Sequence, residues 1–179
     1  RVADHEHPGA VVGRAPGVGG ANRTGRPFTG DFAGELLYAA LARHGFSRGR
    51  YAARPDDGLE LAGCRITNAV RCVPPENRPV GAEVGACREF LRHEVTGAAA
   101  PRIVLALGRV AWDAVLRALG IPAARFAFGH GTVADLPGGP TLIGTYHSSR
   151  YNVNTGRLTP AMFEAAFARA AALVRAAAG

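Results

Sequence analysis

Lysine is absent: all 21 basic residues among the 179 are arginine. That removes the Walker-type phosphate loop at once, because its mechanism needs a Gly-Lys-Ser/Thr step. Cysteine is scarce, with only Cys64, Cys72 and Cys87. An odd, sparse count without a secretory leader excludes a disulfide scaffold and predicts a reducing, cytoplasmic setting. No apolar run approaches the roughly 18 residues of a membrane-spanning helix, so no membrane partner is expected. Acidic residues are few as well, 14 against 21, which leaves a net charge of +7.

What is present suits one globular domain over residues 1–179, with 47% apolar residues. A chain of this length buries about two-thirds of the surface exposed when unfolded. Arginine in such excess has the electrostatic footprint of a phosphate binder, favouring a nucleic-acid or nucleotide partner over an acidic protein surface. The polar start, Arg1 to Pro8, and the brief apolar stretch Ala10-Val11-Val12 predict that a further N-terminal segment normally precedes this sequence.

Hydrophobic periodicity alternates between strand and helix. Ala10 to Val12 reads as a short strand, followed by a loop from Gly13 to Gly30. Phe32 to His44 reads as a helix stopped by Gly45, and Ser47 to Gly63 as a surface loop. Arg65 to Val70 is a strand candidate, Glu83 to His93 a helix, and Arg102 to Leu107 the clearest buried strand. Gly108 opens a helix that runs to Leu119. Strands at Thr132 to Asp135 and Thr141 to Thr145, a long loop, and a final helix from Pro160 to Ala178 complete the chain. This order predicts a three-layer α/β/α sandwich around a mostly parallel sheet of four to five strands. Ligands in such sheets bind beyond the carboxyl ends of the strands.

Three loops at those ends are chemically loaded. The first, residues 13–31, is rich in glycine, which allows close backbone approach and presents amide N–H groups from Gly13, Ala15 and Gly17. The dinucleotide fingerprint fails there, because its third glycine falls on Asn22. The second places Asn68 at a strand end, where its amide offers both a donor and an acceptor suited to a pyrimidine edge. It continues through Cys72 to Cys87, a spacing that alone is a weak metal signal and fits buried free thiols. The third follows Thr145 and sets His147 beside Ser148, Ser149, Arg150, Asn152, Arg157 and Leu158, a pattern suited to gripping phosphates and placing an imidazole at a reacting centre.

Together the loops resemble the uracil-DNA glycosylase superfamily, and within it the family 5 (type B) enzymes. GxAPGxxGANRTGRPFTGD at 13–31, TNAVRCxPPEN at 67–77 and YHxSxxNxxTGRLT at 146–159 are similar to that family's motifs in order and spacing. The resemblance implies that Asp31 activates water, Phe28 stacks on the base, Asn68 reads it, and His147 stands beside the uracil carbonyl. It also implies a 4Fe-4S cluster, of which Cys72 and Cys87 match the last two of four ligands. The family's first two cysteines lie upstream of the first strand and are not in this sequence; Cys64 is extra, and Arg14 stands where the family usually has Leu.

The physics of base removal adds roles. A base inside a duplex must be flipped out, at a cost of a few kcal/mol. Arg23, Arg26, Ser148, Ser149, Arg150 and Arg157 are expected to grip flanking phosphates. Asn152 to Leu158 are expected to sit near the vacated stack and act as a wedge, with Asn152 and Leu158 among the DNA-contacting residues. The expected substrate is single- or double-stranded DNA carrying uracil or another deaminated base such as hypoxanthine, met by a monomer. Two rivals are a non-catalytic nucleic-acid-binding module of the same fold and an acyl hydrolase built on Ser148, His147 and Asp31.

Overall fold

A computed structural model describes residues 8–17 and 20–177. The polar lead-in 1–7, Val18 and Gly19 of the first loop, and the expected helix end at Ala178 lie outside the described residues.

The chain opens with β1 (Gly9–Gly13), the one-turn α1 (Ala21–Thr24) and α2 (Phe32–Arg43). Two short strands follow, β2 (Ser47–Arg48) and β3 (Glu60–Leu61), then β4 (Cys64–Asn68), α3 (Gly81–Thr96), β5 (Ile103–Leu107) and α4 (Arg109–Ala118). The C-terminal part holds β6 (Val133–Asp135), β7 (Thr141–Thr145), α5 (Arg150–Asn154) and α6 (Pro160–Ala176). The main sheet has five strands in the order β4-β1-β5-β7-β6, all parallel except β6, which runs antiparallel to β7.

Both faces of the sheet centre are covered, so β1 and β5 are buried along their whole length rather than alternating. Alternate residues nonetheless face different layers. Val11, Ile103, Leu105, Leu107 and Ile143 pack against α2 and α6, through Leu37, Leu41, Phe163 and Phe167. Ala10, Val12, Val104, Ala106 and Leu142 pack against α3 and α4, through Val84, Leu91, Trp112 and Val115. The three-layer α/β/α architecture expected from the alternation is therefore present. Among the described residues, no helix is long and apolar enough to cross a membrane.

Boundaries shift where local signals are weak. α3 runs over 16 residues, well beyond Glu83 to His93 at both ends, helped at its start by the Glu83 carboxylate accepting from the Val80 N–H at 2.9 Å. The expected plain loop Ser47 to Gly63 instead contains the β2–β3 antiparallel pair, and the loop after β7 contains α5. α6 begins as its sequence promises: the Thr159 hydroxyl accepts from Met162 N–H, and Pro160 occupies the first turn.

Candidate active site

Parallel pairing aligns the carboxyl ends of four strands. Val12 pairs with Thr67 and Ala106, and Ala106 with Gly144. One residue further on come Asn68, Gly13, Leu107 and Thr145, and the three loaded loops leave from this edge.

Gly13, Phe28 and Asn68 meet there. A Cβ added to Gly13 would stand 2.4 Å from Asn68 Oδ1 and 2.5 Å from Phe28 Cζ, so only glycine lets the amide and the ring approach this closely. Asn68 Oδ1 is buried with no hydrogen-bond partner. Such an orphaned acceptor is costly unless something else satisfies it. Phe28 is only 6% exposed, and its φ of 58° lies in the left-handed region that non-glycine residues avoid. The His147 ring stands 6.0 Å from the Phe28 ring, tilted by 40°.

Asp31 closes the same loop as the N-cap of α2. Its Oδ1 accepts from Gly34 N–H at 2.9 Å, while Oδ2 lies against the backbone at Gly17 and Gly20. A Cβ on Gly20 would come within 2.5 Å of that oxygen. Burial raises the Asp31 pKa, partly offset by hydrogen bonds from the Gly34 and Ala33 amides. The cap engages Oδ1, so the structural role of this carboxylate is local to the start of α2.

On the other side, burial and the Arg14 guanidinium push the His147 pKa down to about 4, keeping its imidazole neutral at physiological pH. Arg14 and His147 share a cavity of about 200 Å³ with Leu107, Gly108, Asn152 and Arg157. Asn152 Nδ2 donates to the His147 carbonyl at 2.8 Å, and Ser149 Oγ accepts from Asn152 N–H at 3.3 Å as the α5 N-cap. Ser149 and Asn152 therefore shape the loop that carries His147. Ala15 packs partly buried against the α3–α4 side of the core.

Three expected DNA contacts are corrected. Ser148 is 0% exposed and donates to the Ala33 carbonyl at 3.1 Å, so it braces the His147 loop against the start of α2 rather than touching phosphate. The same burial removes the acyl-hydrolase reading, which needed an accessible Ser148 nucleophile. Leu158 is also 0% exposed, inside the core that α2 and α6 share, and is no wedge. Arg26 is spent on protein partners: its guanidinium forks onto Asp57 with both contacts at 2.7 Å, and its Nε donates to Thr29 Oγ1 at 2.6 Å. Arg23, Arg150 and Arg157 remain on the surface, the last two with guanidinium carbons 5.3 Å from the Phe32 ring and 4.8 Å from the Tyr146 ring. Tyr151 on α5 is 71% exposed.

Sequence reasoning overlooked His130. Its Nδ1 accepts from Tyr146 N–H at 3.4 Å and its ring stacks on Tyr146 at 5.3 Å, fixing the residue that precedes His147. Burial lowers the His130 pKa, which favours the neutral ring that such an acceptor requires. The flanking Gly129 and Gly131 were the available signal, a tight reversal beside the end of β7.

Cys72 is exposed after β4, and Cys87 is partly buried on α3. A 4Fe-4S cluster takes four thiolates, and the described residues contain no group of three or more His, Cys, Asp or Glu placed to hold a metal. Cys72 and Cys87 would supply two of those four thiolates. Cys64 is buried, donates to the Phe46 carbonyl at 3.4 Å, and has its thiol pKa pushed up to about 12 by burial. It is an inert core thiol.

The model of the Uracil DNA glycosylase superfamily matches residues 3–171. A type-5 uracil-DNA glycosylase from Pyrobaculum aerophilum is 48% identical over 162 residues, spanning 90% of this chain and 70% of that protein. A type-5 uracil-DNA glycosylase from Thermus thermophilus is 44% identical over 153 residues, 86% of this chain and 69% of that protein. A type-4 uracil-DNA glycosylase from Pyrobaculum aerophilum is 39% identical over 111 residues, 62% of this chain and 48% of that protein. With a family match across nearly its whole length and the motif residues gathered at one sheet edge, this chain belongs to the uracil DNA glycosylase superfamily.

Proposed function

We propose that this protein is a uracil-DNA glycosylase that flips uracil out of DNA and hydrolyses its N-glycosidic bond, leaving an abasic site. The observation that carries the reading is the buried, unpartnered Oδ1 of Asn68 against the edge of Phe28. An everted uracil satisfies that oxygen with its N3–H and takes the Asn68 amide N–H on O4, while its ring stacks on Phe28. The type-5 names of the relatives support the same substrate.

Chemistry then follows from the two titratable groups. Asp31, its pKa raised by burial, takes a proton from a water as that water's oxygen bonds to the sugar C1′. Its negative charge also steadies the oxocarbenium-like sugar. The N1–C1′ bond breaks and its electron pair leaves with the base. Neutral His147 donates a hydrogen bond to the uracil O2, where the departing anion concentrates charge. An imidazole held neutral still carries one ring N–H and can polarise a carbonyl oxygen without surrendering a proton. The amides of Gly13, Ala15 and Gly17 are proposed to add further hydrogen-bond donors for the departing base. Arg23, Arg150 and Arg157 contact the flanking phosphates and offset the cost of base extrusion. Hypoxanthine presents the same adjacent N–H and carbonyl as uracil, so it is a second, weaker substrate.

The test is an oligonucleotide with a single uracil, as a duplex and as a single strand, with thymine and hypoxanthine controls. The expected result is an alkali-labile site at uracil, a smaller yield at hypoxanthine and none at thymine. Retarded migration of the DNA without an alkali-labile site would instead identify a non-catalytic binding module.

A further inference from the structure

We infer that Arg26 and Asp57 are positioning residues for the base-stacking Phe28: their ion pair braces the left-handed turn that presents its ring. The inference rests on the proposed function for its substrate and on distances for its geometry. Asp57 lies in the segment between β2 and β3, 31 residues beyond Arg26. Its carboxylate is only 1% exposed and accepts four N–H groups: two from Arg26 at 2.7 Å, one from Ala52 at 2.8 Å and one from Leu59 at 3.1 Å. Arg26 also donates to the Arg54 carbonyl at 2.8 Å and, through Nε, to the fully buried Thr29 hydroxyl at 2.6 Å. A guanidinium so occupied is a fixed strut.

The strut carries two tyrosines. The Tyr38 and Tyr51 rings stack at 4.4 Å, and the Arg26 guanidinium carbon lies 5.2 and 5.6 Å from their centroids. Tyr38 donates its hydroxyl to the Pro27 carbonyl at 2.7 Å, and Tyr51 donates to the Phe28 carbonyl at 3.3 Å. Gly30 N–H reaches the Tyr51 hydroxyl at 3.5 Å. From Pro27 to Gly30, each residue therefore has a polar group tied to this assembly. Gly34 completes it, since a Cβ there would stand 1.7 Å from the Phe28 carbonyl oxygen. A left-handed phenylalanine persists only where its surroundings over-determine it. Asp31, in contrast, is held by its own capping bond and does not depend on the brace.

Asp57→Asn keeps the shape and removes the charge. Stacking on Phe28 exists in the bound substrate as well as in the transition state, so KM for uracil DNA is expected to rise about tenfold with kcat little changed. Affinity for abasic-site DNA, which has no base to stack, should stay within about twofold. Arg26→Lys, which keeps charge but loses the fork, should reproduce the KM effect. In a Phe28→Ala background Asp57→Asn should add nothing, because both changes act through one ring. Additive losses, or an equal loss of affinity for abasic DNA, would reduce the pair to general scaffolding and overturn the inference. If the wild-type chain spares uracil, the functional reading fails and the brace is judged on amide exchange. Loss of protection at Thr29 and Gly30 in Asp57→Asn, with β1 and β5 unaffected, sustains it; unchanged protection overturns it.

Discussion

The loop after β1 and the loop after β7 each deliver one ionisable group to the same sheet edge, and they hold it by different means. The first is pinned by charge and hydrogen bonds: the Arg26–Asp57 fork and two tyrosine hydroxyls fix the turn that carries Phe28, and Asp31 is held by its own cap on α2. The second adds rings to its hydrogen bonds: Tyr146 packs on His130 and Phe128, and the His147 that follows is held through its carbonyl by Asn152. Removal from water then acts on both groups with opposite sign. It raises the pKa of Asp31 and lowers that of His147, because in each case the charged form loses hydration. The lesson is that burial makes the Asp31 carboxylate more basic and holds the His147 imidazole neutral, although the two groups arrive on different loops. Ser148, bonded to the Ala33 carbonyl, ties the two loops together.

Removing the base breaks the comparison most sharply. Asp31→Asn should lower single-turnover excision by about 10²–10⁴-fold with DNA affinity kept, since asparagine also caps helices. Its thermal midpoint, read by calorimetry, should be unchanged or higher, because the desolvated charge is gone. His147→Ala should cost about 10²–10³-fold in kcat, the usual loss for one oxyanion donor.

The two groups also oppose each other in stability. The folded pKa of His147, about 4, lies below its unfolded value near 6.5. Its contribution is therefore complete above the unfolded value and lost as pH falls towards 4, by about 3 kcal/mol. Denaturant titrations should show that acid-side loss, and His147→Gln should flatten it. Asp31 works the other way, because its raised pKa makes ionisation a cost to the fold as pH rises. Within the second loop, Leu158→Ala should destabilise by about 2–5 kcal/mol as a core truncation. Neighbouring Arg157→Ala should leave stability unchanged and reduce the salt slope of DNA binding by about one. The smallest effect belongs to Cys72→Ser, which in this 179-residue chain should alter excision less than twofold in the same assay, because the thiol lies on the surface outside the pocket.

How much of this the sequence exposes depends on the range of the forces. β5 was legible because five consecutive apolar residues are buried on both faces. Asn68 was legible as a strand-end amide because that placement is local. The helices α1 and α5, four and five residues long, have too few turns to show a period. Arg26 and Leu158 were misassigned for a different reason. Their polar loop neighbours suggested solvent, whereas Asp57 and the core beneath α2 and α6 reach them only through the tertiary fold. His130 escaped notice on the same grounds, since its partner Tyr146 is 16 residues away.

The opposed shifts of Asp31 and His147 are tested most directly by the pH dependence of single-turnover uracil excision. One acid-side ionisation should appear above the ordinary aspartate range, with a flat profile from about pH 6.5 to 8 that His147→Gln lowers without reshaping. An inflection near pH 6.5 that disappears in His147→Gln would show a histidine titrating freely, and would contradict an imidazole held neutral by burial.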